Sequence, residues 1–93
     1  MSRVYLSGPM SGIEGCNRPA FEAAYAKLKA AGHEVVSPHE APSMDSWEDY
    51  MRHDLRMLLD CEVIALLPGW MASRGAQLEY RVASDLGFDV MEL

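Results

Sequence analysis

Basic residues are scarce in this chain. Its 93 residues hold 8 Lys and Arg against 14 Asp and Glu, a net charge of −6. Binding along a phosphate backbone needs a basic surface, so a nucleic acid polymer is not an expected partner. Cysteine is scarce too. Cys16 and Cys61 make neither a disulfide framework nor a zinc site and read as reduced thiols of a cytoplasmic protein. His33, His39 and His53 lack metal-ligand spacing and read as surface or loop residues, so no metal is expected. The longest apolar run, Val63 to Leu67 before Pro68, is too short for a bilayer, and a strand-like segment starts almost at the N-terminus. Neither a membrane span nor a signal peptide is therefore expected. The pattern of Ser-His-Asp catalysis is missing, as are a Walker loop and a complete GxGxxG fingerprint.

What is present is a regular alternation of strands and helices. Val4-Tyr5-Leu6 reads as a first strand, followed by the small-residue loop Ser7-Gly8-Pro9-Met10-Ser11-Gly12. Phe21, Ala24, Tyr25, Leu28 and Ala31 recur at helical spacing, with Pro19 suited to the first turn and Gly32 to the end. Glu34-Val35-Val36 is a second strand, and a loop from His39 to Ser46 supplies Asp45 or Ser46 as the next cap. A helix over 47–60, a buried strand from Cys61 to Leu67, a helix from about Ser73 to Leu86 and a last strand from Phe88 to Met91 complete the order β-α-β-α-β-α-β. Such alternation predicts an α/β fold: one doubly wound, Rossmann-like or flavodoxin-like parallel sheet, strand order 2-1-3-4, helices on both faces. The expected domain is a single one over 1–93. A chain of this size leaves roughly a third or more of its unfolded-chain surface exposed, which predicts further burial in a homodimer or larger homo-oligomer.

Two acids stand where apolar residues belong. Asp54 falls inside the stripe Trp47, Tyr50, Met51, Leu55, Leu58 and Leu59, and Glu79 inside the stripe Leu78, Val82, Ala83 and Leu86. A buried carboxylate is costly unless paired or hydrogen-bonded, so both are candidate catalytic residues. The plainer alternatives are that Asp54 pairs with Arg52, Arg56 or His53 or caps a backbone group, and that Glu79 reaches solvent or pairs with Arg74 or Arg81. Ligands of a doubly wound sheet bind beyond the carboxyl ends of the strands, here between strands 1 and 3. That topology gathers the first loop, Ser73 and Glu79 at one mouth. Two carboxylates there suit glycosidic chemistry, one attacking an anomeric carbon and the other protonating the leaving group. The backbone and hydroxyls of Ser7, Gly8, Ser11 and Gly12, with Ser73 and Gly75 at a helix start, are candidate sugar or phosphate contacts. Tyr5 on strand 1 can direct its hydroxyl at a carboxylate or serve as core. Trp70 can stack on a base, cover an interface or pack in the core.

Together, Tyr5-Leu6-Ser7-Gly8, Asp54-Leu55 and Ser73-Arg74-Gly75 followed by Glu79 resemble the nucleoside 2-deoxyribosyltransferase superfamily, which includes the 2'-deoxynucleoside 5'-phosphate N-hydrolases. Tyr5 to Gly12, Asn17 to Phe21, Gly32 to Pro38 and Leu67 to Trp70 resemble a small phage and prophage branch of it without a settled function. The resemblance implies Glu79 as the nucleophile that forms a covalent deoxyribosyl-enzyme, Asp54 as the acid and sugar-binding residue, and Tyr5 as the orienter of Glu79. It implies that Ser73 and Gly75 bind the 5' end of a small-molecule nucleoside or nucleotide, with no cofactor, in a homo-oligomer. Ser11 stands where the nucleotide hydrolases carry an Arg, and Arg18 or Arg74 is the expected substitute. Gln77 stands where the family has a small residue and is expected to narrow the pocket. The implied activity is cleavage or transfer at an N-glycosidic bond. The alternatives are a non-catalytic nucleotide-binding module and a phage interaction protein that retains the fold.

Overall fold

A computed structural model describes residues 2–10, 17–38 and 44–93. In chain order the elements are β1 (Arg3–Ser7), α1 (Arg18–Ala30), β2 (Glu34–Val36), α2 (Trp47–Leu59), β3 (Val63–Leu66), a 3-10 turn (Trp70–Ala72), α3 (Arg74–Asp85) and β4 (Asp89–Glu92). The four strands form one sheet in the order β2-β1-β3-β4, and every pairing is parallel. This is the α/β sheet expected from the alternation of elements. Val4 pairs with both Val35 and Val63, so β1 lies at the centre.

Side chains alternate across the sheet and divide the core in two. Val4, Leu6, Val35, Val63, Ala65 and Leu67 pack with Phe21 and Leu28 of α1. On the other face, Tyr5, Ile64 and Leu66 pack with Leu58 of α2 and Ala83 of α3. Ser7 follows Tyr5 by two positions and shares its face. The helix starts follow local chemistry: Ser46, rather than Asp45, caps α2 by accepting from the Asp49 N–H at 3.1 Å, and Ser73 caps α3 by accepting from the Ala76 N–H at 3.3 Å. Gly87, at φ 79°, ends α3 in a left-handed turn, where the Phe88 N–H reaches the Ala83 carbonyl and the Gly87 N–H reaches Ser84. That turn feeds β4 back into the sheet.

Three readings of the helical and strand patterns need correction. The buried stripe of α2 is Met51, Asp54 and Leu58, while Leu59 is 56% exposed. The buried stripe of α3 is Ala76, Glu79 and Ala83, while Leu86 is 58% exposed. Leu59 lies about 100° around α2 from the fully buried Leu58, and Leu86 stands at the C-cap of α3. The last strand is also less covered than expected. Asp89, Val90 and Glu92 of β4 are exposed, because β4 is an edge strand, and its acidic ends keep that edge soluble.

Candidate active site

The alternation of β1 and the small residues of α3 together build the site. Ala76 and Ala83 let α3 lie close on the sheet, and Glu79, between them, points at the β1 face that carries Tyr5 and Ser7. The Tyr5 hydroxyl donates to Glu79 Oε2 at 2.7 Å, and the Ser7 hydroxyl donates to Glu79 Oε1 at 2.7 Å. Tyr5 and Ser7 are fully buried and Glu79 is 4% exposed. The carboxylate is thus held in one orientation by two short, charge-assisted bonds.

Burial drives the Glu79 carboxyl up to about 7. The Ser7 and Tyr5 hydroxyls pull it down, and the nearby charge of Asp54 pushes it further up. The Tyr5 phenol is raised well above its ordinary range by burial and then by the charges of Glu79 and Asp54, so it remains a donor at physiological pH. Asp54, buried on α2, is itself raised by burial. Its charge acts on both Glu79 and Tyr5, so two acids from different helices share one electrostatic environment. The Asp54 charge makes ionisation of Glu79 harder, which sets the two carboxyls apart.

The remaining expected contacts divide around this centre. Ser7 serves Glu79 itself rather than standing open as a ligand contact. Gly8 leaves β1 against Leu67, and a Cβ at Gly8 would meet Leu67 Cβ at 2.7 Å. Ser73 caps α3, and Gly75 lies against Met51 and Trp47, where an added Cβ would stand 3.2 Å from Met51 Sδ. The Arg74 guanidinium stacks 3.7 Å from the centre of the Trp47 ring and ties the start of α3 to the start of α2. Arg18, at the start of α1, is exposed and pairs with Glu22 at 3.6 Å. Ser11, Gly12, Cys16 and His39 lie outside the described residues. Gln77 is exposed and donates to the Met71 carbonyl, so it turns away from Glu79 instead of narrowing a pocket. Trp70 packs at the sheet edge, 4.7 Å from the Tyr80 ring, with its indole N–H directed to Glu92.

The chain belongs to a family defined by sequence alone. Residues 2–92 match the family described as Domain of unknown function, DUF4406. No curated protein gives a significant match. Among the described residues, no three His, Cys, Asp or Glu side chains gather as a metal centre requires, and no helix is long and apolar enough to cross a membrane.

Of the partners open to Asp54 in the sequence, His53 is the one found: its Nδ1 lies 3.3 Å from Asp54 Oδ1, and the ring stays partly exposed. The bond from Ser7 to Glu79 is not among the sequence expectations; the signal that pairs them is the two-residue spacing of Ser7 from Tyr5 on a strand.

Proposed function

We propose that this protein cleaves or transfers the N-glycosidic bond of a deoxyribonucleoside or its 5'-monophosphate. The observation that carries this reading is the Glu79 carboxylate, buried and held by the Tyr5 and Ser7 hydroxyls beside a second buried acid. Neither hydroxyl can neutralise the charge as a cation would, so the ionised group keeps its nucleophilicity while its direction is fixed. The resemblance of Tyr5-Leu6-Ser7-Gly8, Asp54 and Ser73-Arg74-Gly75 to the nucleoside 2-deoxyribosyltransferases supports the choice of sugar.

In this mechanism a Glu79 oxygen attacks C1' as the bond from C1' to the base breaks and its electron pair leaves with the base. Asp54 delivers a proton to the departing base. Water then attacks C1', the Glu79 ester bond breaks, and Asp54 takes the proton from water, which restores both acids. A second base in place of water gives transfer. The step needs Glu79 ionised and Asp54 protonated; the Asp54 charge that raises Glu79 favours the opposite order, so the reactive arrangement is reached when the proton shared by the pair moves from Glu79 to Asp54.

The test is a panel of deoxynucleosides and deoxynucleotides, with free base measured by chromatography. Base release by the wild type, lost by at least about a thousandfold in Glu79→Gln, is the expected result for a nucleophile. Release that survives Glu79→Gln refutes the assigned role. Thermal stabilisation by nucleotides without release, equal in both proteins, replaces the enzyme with a binding module.

A further inference from the structure

His53 connects the buried pair to the surface of α2. It is half-exposed, and it borders a hollow of about 420 Å³ that is also lined by Met44, Asp45, Asp49, Arg52 and Arg56. Neither Asp54 nor Glu79 lines that hollow. On its inner side the His53 ring meets Asp54 Oδ1 at 3.3 Å. Neighbouring side chains on a helix diverge, so this contact requires the imidazole to lean back toward the core.

We infer that His53 is a positioning residue for Asp54: a hydrogen on its Nδ1 occupies Oδ1 and reserves Oδ2 for the proton that Asp54 gives to the departing base. This rests on the proposed glycosidic reading for its chemical meaning, although the contact itself does not. The imidazole N–H donates to the carbonyl oxygen of a protonated Asp54. Once that proton has left Oδ2, the same N–H donates to a carboxylate, a stronger bond that favours the transfer. The groups facing Asp54 among the described residues are His53 on its own helix, Glu79 on α3 and Tyr5 on β1. Around His53 stand Asp45, Asp49, Arg52 and Arg56, whose opposite charges offset one another at the rim. The hydrogen bond and charge of His53 favour ionised Asp54, against burial.

The experiment follows the Asp54 carboxyl carbon by NMR through a pH titration of the whole chain labelled at aspartate, with Asp54→Asn to assign the signal. Wild type is compared with His53→Phe and His53→Gln, and amide spectra verify that each is folded. His53→Phe moves the Asp54 midpoint to higher pH. His53→Gln, which keeps a donor without a charge, moves it less, and stands alone as the test if the Phe variant does not fold. In the wild type the His53 ring nitrogens respond to the Asp54 titration, and Asp54→Asn abolishes that response. An unchanged Asp54 midpoint in the folded variants overturns the proposal. In the base-release assay, the limb that follows the Asp54 proton moves the same way, with kcat reduced more than KM is changed. Absence of base release in the wild type refutes the glycosidic reading, while the carboxyl titration still decides whether His53 governs Asp54.

Discussion

Replacing Glu79 by Gln stabilises this protein at alkaline pH. The Glu79 carboxyl is raised from an ordinary 4.5 to about 7 by burial and by Asp54, against the pull of the Ser7 and Tyr5 hydroxyls. Between those values the folded protein holds a proton that the unfolded chain has released. The stability this contributes is complete below about 4.5 and is lost as the pH rises through about 7. At about 1.4 kcal/mol for each pH unit, the interval amounts to a ceiling of about 3 kcal/mol, which water entering the site and local relaxation reduce. Glutamine has the same shape: its carbonyl accepts from one hydroxyl, its amide donates to the other, and it carries no charge to bury. Glu79→Gln is therefore more stable than wild type by about 2–3 kcal/mol near pH 8.5, on the order of 10 °C in Tm for a domain of this size. The gap narrows toward zero near about pH 4.5. Paired urea or thermal melts across that range measure it, and the comparison cancels the carboxylates common to both proteins. A variant less stable than wild type at alkaline pH, or a gap that ignores pH, refutes the reasoning.

Three other substitutions probe separate steps. Tyr5→Phe removes one of the two donors on Glu79 and lowers stability by about 1–2 kcal/mol near neutral pH in urea melts; it also moves the Glu79 limb of the base-release profile to higher pH, because the lost hydroxyl favoured the ionised form. Gly8→Ala forces a methyl group to 2.7 Å from Leu67 Cβ and costs about 1–3 kcal/mol in the same melts. Ser46→Ala removes the cap that accepts from Asp49 and costs about 1 kcal/mol, with no change in the Glu79 titration because the cap lies at the far end of α2's first turn.

The order of elements was legible because Pro, Gly and Ser punctuate it. Pro38 and Gly69 stand beyond strand ends, Gly32 and Gly87 beyond helix ends, and Ser46 and Ser73 at helix starts. The positions of Asp54 and Glu79 were legible for a different reason, since an acid amid apolar residues at helical spacing contradicts simple packing. What spacing could not show was the width of each buried face. Leu59 and Leu86 continue their stripes in the sequence, yet each is more than half exposed while Leu58 and Ala83 are fully buried. The short turn at Trp70–Ala72 was hidden inside a stretch that Pro68-Gly69 marks only as a loop. Side-chain direction decides the finer contacts of the site. Ser7 belongs both to a small-residue loop and to the face of Tyr5, and its face determines its partner. The contact of His53 with Asp54 depends on a rotamer between adjacent helical residues, which periodicity does not specify.

In the proposed mechanism Glu79 becomes bonded to the sugar. Mass spectrometry of the protein, quenched in acid after mixing with a deoxynucleoside panel and digested, detects that bond. The expected result is a deoxyribosyl adduct on the peptide carrying Glu79, formed with release of base and absent from Glu79→Gln. Base release with no adduct on that peptide under rapid quenching, or an adduct that persists in Glu79→Gln, would contradict it.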